Sequence, residues 1–502
     1  MANPLKKLAG QTVIYGVSTI TQRFLNYLLV PILTYIFTNP ADFGVNTEIY
    51  AYISFLNVIL TYGMETAFFN FTMKSDDKTK VYSTALISLL STTTLFMLIG
   101  YFSSGYVAHQ LGYARNVNFI QWMVFIIASD ALMAIPFARL RAEQRPLKFA
   151  FIKITNILIN IAITVFFVYF CKNAYEHDLA EHRTSMLGNL YNPEIGIGYA
   201  FLATLLANVI SLAMLVKEFT GFKYSFDKKL WLEMLRYALP LLVVGLAGMI
   251  NETFDRIILK KLLPKDIGMY ALGVYGACYK ISILMTIFRQ AFQYAAEPFF
   301  FSHAKQEDSR KLNALVMKYF VIACSFLFLA TMMNLQWIKY MVNKNYWEGL
   351  DVVPILLLAN LFLGIYYNLS VWYKLTGQTR FGAYMTILGA IVTLVINFVF
   401  IPRFNYMASA WATFASYGTM MVASYFLSQK YYATRYNIRS FVFFFGFALA
   451  FYAISLLWKG RLDNVYLEVA LNNVLVLIYC WLFIKFELPN LKKLNATSQS
   501  NK

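Results

Sequence analysis

"PADFGV" (residues 40–45) stands between two long apolar stretches, and "PKDIGM" (264–269) writes it again about 224 residues later. Pro40, Asp42 and Gly44 return as Pro264, Asp266 and Gly268, with an apolar residue after each Asp and each Gly. A second pair keeps the same order. "RLRAEQR" (139–145) and "KLTGQTR" (374–380) both read basic–Leu–four residues–Arg, and each closes an apolar stretch. Pro, Asp and Gly suit any tight turn and Arg suits many loops, so convergence is the alternative to descent from one half. Two matches in one order favour parallel duplication, a transporter architecture with the substrate path between the halves.

The composition says in what solvent these halves fold. Of 502 residues 59% are hydrophobic and only 14% charged, against roughly a quarter charged in a soluble chain. Stretches of about twenty apolar residues occur about fourteen times: 8–37, 43–71, 82–107, 119–138, 149–171, 195–216, 232–262, 268–300, 312–334, 350–373, 381–401, 405–428, 440–458 and 465–486. The reading is an all-α polytopic membrane protein. Its first stretch, far longer than the apolar core of a signal peptide, is expected to stay as a membrane helix. The polar intervals 172–194 and 217–230 are the longest, and neither is large enough for a soluble domain. Cys171, Cys278, Cys324 and Cys480 form no CxxC and there are four histidines. No metal site, disulfide framework or cofactor is therefore expected. No G-x-x-x-x-G-K-[ST] occurs, so ATP hydrolysis is not the expected energy source.

Charge sets the expected orientation. With both termini on one side, that side collects about 26 Lys and Arg and the other about 11. The rich side, with Lys6, Lys7, Arg139, Arg141, Arg145, Lys228 and Lys229, is read as cytoplasmic, and both copies of the turn as extracytoplasmic. The net charge of +18 is then a topology signal. Its scatter over short loops argues against a nucleic-acid partner. Six spans separate the two turns, an even number, so both halves share one orientation. The expected division is a six-helix lobe over 1–220, a second over 221–430, and an extra helix pair with a cytoplasmic tail over 431–502.

With "GMETAFFNF" (63–71), "IPFARLRAEQRPLKFA" (135–150), "NETFDRIIL" (251–259) and "FRQAFQYAAEPFFFSHAK" (288–305), nearly the whole chain resembles the polysaccharide biosynthesis flippases. These belong to the multidrug/oligosaccharidyl-lipid/polysaccharide exporter superfamily. Asn70 departs from the basic residue often found there. The resemblance implies two six-helix lobes related by a pseudo-twofold axis, a central cavity and alternating access. It also implies a polyprenyl-pyrophosphate-linked oligosaccharide as cargo, a bacterial inner-membrane location, and a groove for the lipid tail beside the last two helices. Polysaccharide polymerases and glycosyltransferases are the partners it suggests, beside the membrane lipids.

The residues themselves point to charges where charge is costly. An ionised group at mid-bilayer opposes insertion by at least about 2.5–3.5 kcal/mol and so faces a wet cavity or a partner. At a rise of about 1.5 Å per residue, Lys280 and Glu252 lie roughly 18 Å below the duplicated turn and Arg23 about 25 Å. Asp130 is also near the midplane of its span. Arg23, Lys280 and Arg256 are the candidate ligands of an anionic pyrophosphate, which Arg and Lys bind strongly in a low-dielectric cavity. Asp130, Glu252 and Asp255 are candidates for coupling to a proton or sodium, or for internal pairing. Glu252 and Arg256, four apart on one helix face, could simply neutralise each other, and Arg23 could pair with Asp130. Lys153 and Lys318, near helix ends, are set aside as snorkelling side chains. Glu65 and Arg289 occupy equivalent positions of the two halves and form a candidate gate at the cytoplasmic mouth, with two independent interfacial charges as the plainer alternative.

Two rival functions remain. A multidrug antiporter of the same superfamily would need a mainly acidic cavity, whereas this chain mixes cations with its acids. A membrane enzyme acting on polyprenyl-linked sugar would need catalytic acids in an aqueous domain, and the longest outer segment has about 23 residues. The chain is read as no enzyme.

Overall fold

The computed structural model describes residue 16 and residues 20–220, 224–303, 309–462 and 464–490, which are helices joined by short loops with no strand among them. The helices are α1 (Leu29–Ile36), α2 (Pro40–Thr61), α3 (Met64–Lys74), α4 (Lys78–Leu111), α5 (Val117–Ala142), α6 (Pro146–Val165), α7 (Lys172–Glu181), α8 (Tyr199–Met214), α9 (Lys228–Glu252) and α10 (Phe254–Leu262). There follow α11 (Lys265–Ile281), α12 (Ile283–His303), α13 (Ser309–Met333), α14 (Val352–Leu369), α15 (Arg380–Phe404), α16 (Tyr406–Tyr431), α17 (Ile438–Ser455) and α18 (Val465–Phe486).

Among the described residues eleven helical stretches are long and apolar enough to cross a membrane, or twelve if the bent pair α11–α12 is one span. The expected count was about fourteen. Two expected spans account for much of the difference. Most of 8–19 lies outside the described residues, and α16 forms over 405–428 but, rich in Ser, Thr and Tyr, is not among the eleven. Several expected single spans are broken. Tyr62 (φ 35°) and Gly63 (φ 72°) separate α2 from α3, Thr253 separates α9 from α10, and α11 meets α12 at 47°.

Helices α2, α4, α5, α6 and α8 pack on one another, and α9, α10, α11, α14, α15 and α16 form a second group. The last two helices, α17 and α18, lie against α13. The two groups meet chiefly where α2 packs along α11, with α9 and α10 beside them.

Both copies of the duplicated motif turn out to be helix starts. Pro40 opens α2, Asn39 caps it by accepting the Ala41 amide at 3.1 Å, and Asp42 lies in the first turn. Pro264 precedes α11, and Asp266 lies in its first turn. Proline at a helix start loses no bond, and a carboxylate there meets the positive end of the helix dipole. The glycine belongs to the helix rather than to a turn, and its use is proximity. A β-carbon on Gly44 would sit 2.2 Å from the Met269 carbonyl oxygen, and one on Gly273 1.7 Å from that of Pro40. One on Gly276 would meet the Thr47 hydroxyl at 2.2 Å. Small residues let two backbones touch, which is how helices associate where water supplies no hydrophobic drive between them. The two motifs therefore start the two helices that cross at the junction of the halves.

Candidate functional site

Below the crossing, α10 and α11 carry a group of charges. Asp255, 3% exposed, accepts a hydrogen bond from the Tyr275 hydroxyl at 2.7 Å and one from the Arg256 amide at 2.8 Å. The Arg256 guanidinium lies 4.3 Å from the centre of the Tyr279 ring, and its buried Nε has no hydrogen-bond partner among the described residues. Lys280, half-buried and next to Tyr279 on α11, feels the charges of Arg256, Arg23 and Glu252. Among the described residues Lys280 and Arg23 have no ion-pair partner. The same-face pairing of Glu252 with Arg256 does not form, because the helix breaks at Thr253 (φ −136°, ψ −15°) between them. Arg23 is not paired with Asp130 either. Three cations thus lie near one another around a single exposed carboxylate, Glu252, and a buried one, Asp255.

A second site lies in the first group of helices. A cavity of about 580 Å³ is lined by Gln22, Asn57, Glu65, Asp130, Arg141 and Lys153 with their neighbours. Asp130 accepts a hydrogen bond from Asn208 Nδ2 at 2.9 Å. Asn208 in turn bonds Ser129 and Asn156, so the carboxylate is set in a chain of amides and hydroxyls across α5, α6 and α8. Lys153, set aside by sequence reasoning as snorkelling, instead faces Asp130 electrostatically and lies 4.3 Å from the Phe137 ring centre. Lys318 does have a structural partner, Glu487 at 2.5 Å.

The expected Glu65–Arg289 pair is not joined in this conformation. Glu65 is ion-paired with Arg141 from α5. Arg289 is 6% exposed, 5.1 Å from the Tyr367 ring centre, in a narrow space with Gln293 and Asn368. The two residues belong to separate pockets.

Sequence reasoning missed the ion pair that ties the two groups of helices together. Glu48 on α2, fully buried, accepts from Lys260 Nζ on α10 at 2.8 Å and from the Tyr113 hydroxyl. Lys260 also donates to the Leu111 carbonyl at 2.7 Å and lies 4.7 Å from the Tyr113 ring centre. Around it, the Tyr346 hydroxyl donates to the Phe37 carbonyl at 2.6 Å, Asn345 to that of Thr38 at 2.9 Å, and Tyr35 to that of Tyr340 at 3.0 Å. At the motif end, residues 35–48 are thus joined by polar bonds to Lys260 and to the segment 340–346. Glu48 was legible as a charge within a span, about 12 Å below its helix start. Its partner, 212 residues away, was not.

A buried charge stripped of its partner leaves the other ion desolvated and uncompensated, at about 3–5 kcal/mol. Lys260→Met should therefore lower the melting temperature of the purified protein sharply. Adding Glu48→Gln should recover much of the loss, since no ion is then left unpaired. Additive losses in the double variant would mean that the two side chains do not depend on each other.

The residues 8–304, more than half the chain, match the family described as "Polysaccharide biosynthesis protein". None of the curated proteins matches significantly. Among solved structures, the lipid II flippase MurJ in an inward closed conformation is similar with a TM-score of 0.70 at 13% identity, over 94% of this chain and 99% of that one. The inward-facing conformation of a multidrug resistance MATE family transporter of the MOP superfamily reaches 0.60 at 13% identity, over 82% and 94%. A MATE in complex with MaD3S reaches 0.57 at 13% identity, over 86% and 96%. The fold is that of MurJ and the MATE transporters, and the chain belongs to the polysaccharide biosynthesis protein family.

Proposed function

We propose that this multi-pass membrane protein is a flippase rather than an enzyme. Its cargo is a polyprenyl-pyrophosphate-linked oligosaccharide, a repeat unit of O-antigen, capsule or exopolysaccharide, carried from the cytoplasmic to the outer leaflet of a bacterial inner membrane by alternating access. The observation that carries the reading is the group Arg23, Arg256 and Lys280. Cations at that depth are costly unless something anionic visits them. A pyrophosphate brings at least two negative charges and many acceptor oxygens, which a guanidinium fork and a compact ammonium both suit. A cationic drug would be repelled by the same group, which ranks the multidrug antiporter second.

The six-helix lobes are 1–220 and 221–430, with the extra pair and the tail at 431–502. The close packing of α2 on α11 supports a boundary running between them. Asp130, in its cavity with Lys153 and Asn208, is the group best placed to take up a coupling ion, and Glu252 the exposed alternative. Asp255 is occupied by Tyr275 and serves internal pairing.

Lys280→Ala should stop display of surface glycan and leave lipid-linked precursor on the cytoplasmic side. Lys280→Arg should retain some transport because the charge survives. Wild-type glycan levels for Lys280→Ala, in a strain without a second flippase, would remove the cationic cluster from the mechanism. A gene deletion that alters drug tolerance and spares surface glycan would favour the antiporter.

In the proposed orientation both termini are cytoplasmic and the motif end is outside. A single cysteine placed at residue 178 should react with a membrane-impermeant reagent in intact spheroplasts. Reaction only after the membrane is broken reverses the orientation.

The gate between Glu65 and Arg289 belongs to another state of the cycle, in which Arg141 releases Glu65. Glu65→Arg and Arg289→Glu should each impair export, and together restore part of it. Additive impairment marks them as independent charges.

A further inference from the structure

The motif end carries a second polar recess, away from the charges assigned above. It lies between the end of α13, the segment 335–351 and the α17–α18 pair, with a volume of about 160 Å³. Its floor holds Glu468, in the first turn of α18 and only 4% exposed. One of its carboxylate oxygens accepts a hydrogen bond from Gln336 Nε2 at 3.1 Å. The other has no partner among the described residues. The start of α18 gives the carboxylate a favourable helix dipole, which is a partial charge and not a counter-ion. Buried carboxylates are ordinarily paired with a full positive charge, and none is supplied here by the described residues.

Two cations line the recess without pairing with Glu468. Lys339 Nζ donates to Gln336 Oε1 at 2.5 Å and lies 4.4 Å from the Trp347 ring centre. Lys459, in the loop after α17, is exposed. Met332, Leu335 and Leu456 form an apolar wall beside them. The depth is that of a bilayer interface, where α17 ends, α18 begins and Trp347 sits among tyrosines as interfacial aromatics do. The recess thus offers two lysines for an anion, one buried carboxylate for a cation, and an apolar wall for the carbons that follow.

We propose that this recess binds the headgroup of a bilayer phospholipid that carries a primary ammonium, a phosphoethanolamine lipid. Its phosphate lies toward Lys339 and Lys459 and its ammonium donates to Glu468. The charges match one for one at the acid. Glycerol hydroxyls could also donate to the carboxylate, but they would leave its buried charge without the counter-ion that an ammonium supplies. A choline headgroup has no N–H to donate. The lipid would fasten α17 and α18 to the end of α13, a role independent of any cargo.

The test is lipid retention, read by native mass spectrometry of the full-length protein released from micelles doped with one lipid at a time. Wild type should retain one phosphatidylethanolamine at least about tenfold more tightly than phosphatidylglycerol or phosphatidylcholine, a difference of about 1.4 kcal/mol. Glu468→Gln, which keeps the size and the Gln336 contact, should abolish that preference and leave phosphatidylglycerol retention unchanged. Lys459→Met, at an exposed position where folding is not in question, should weaken both lipids. Equal retention of phosphatidylethanolamine by wild type and Glu468→Gln overturns the proposal. So does a wild type that holds phosphatidylglycerol as tightly, or one that retains a glycan-bearing lipid there instead.

Discussion

The structure depends on a contact between two backbones. Helices α2 and α11, each begun by the same Pro–x–Asp motif, cross so closely that a single β-carbon at Gly273 would overlap the Pro40 carbonyl. In a membrane, apolar surface is no reason for two helices to meet, so contact must come from fit and from polar bonds. Glycine provides the fit, and Glu48 with Lys260 and Tyr113 provides the bonds. Everything placed by the junction, the cation group on α10 and α11 included, inherits its position from that crossing.

The same economy explains where the charges are. Glu48, Asp255, Glu218 and Glu487 are buried acids, and each is met by named donors. Glu218 takes Lys148 at 2.7 Å and Arg145 at 3.0 Å, with Arg139 at 3.7 Å, and so locks the basic end of α5 to the loop after α8. Lys280 and Arg23 differ from these paired acids. They are cations without an ion pair among the described residues, Lys280 half-buried and Arg23 exposed.

Composition and apolar run lengths made the class legible, since runs of twenty apolar residues have few other uses. The repeated motif was legible as well, although its meaning shifted from turn to helix start. Helix breaks were not. Thr253 and Tyr62 carry no Pro signal, and their backbone angles follow from tertiary packing that a local reading cannot see. The break at Thr253 alone undid the Glu252–Arg256 pair. Pairings across the junction were equally hidden, because Glu48 and Lys260 are related by no spacing. Lys153 was misread because its distance from a helix end predicts reach toward the headgroups, whereas the cavity beside Asp130 gave its ammonium a nearer polar place.

Gly273 and Gly276 have no counterparts in the first half, where the same offset falls on Ile49 and Tyr52. In a symmetric pair of identical six-helix chains equivalent positions carry the same residue, so glycine at the positions of Gly273 and Gly276 would put glycine at those of Ile49 and Tyr52 as well. A single chain that carries both stretches has no such obligation. One helix could become the groove and its copy the ridge, and a contact that symmetry would leave loose or clashing becomes a fitted one.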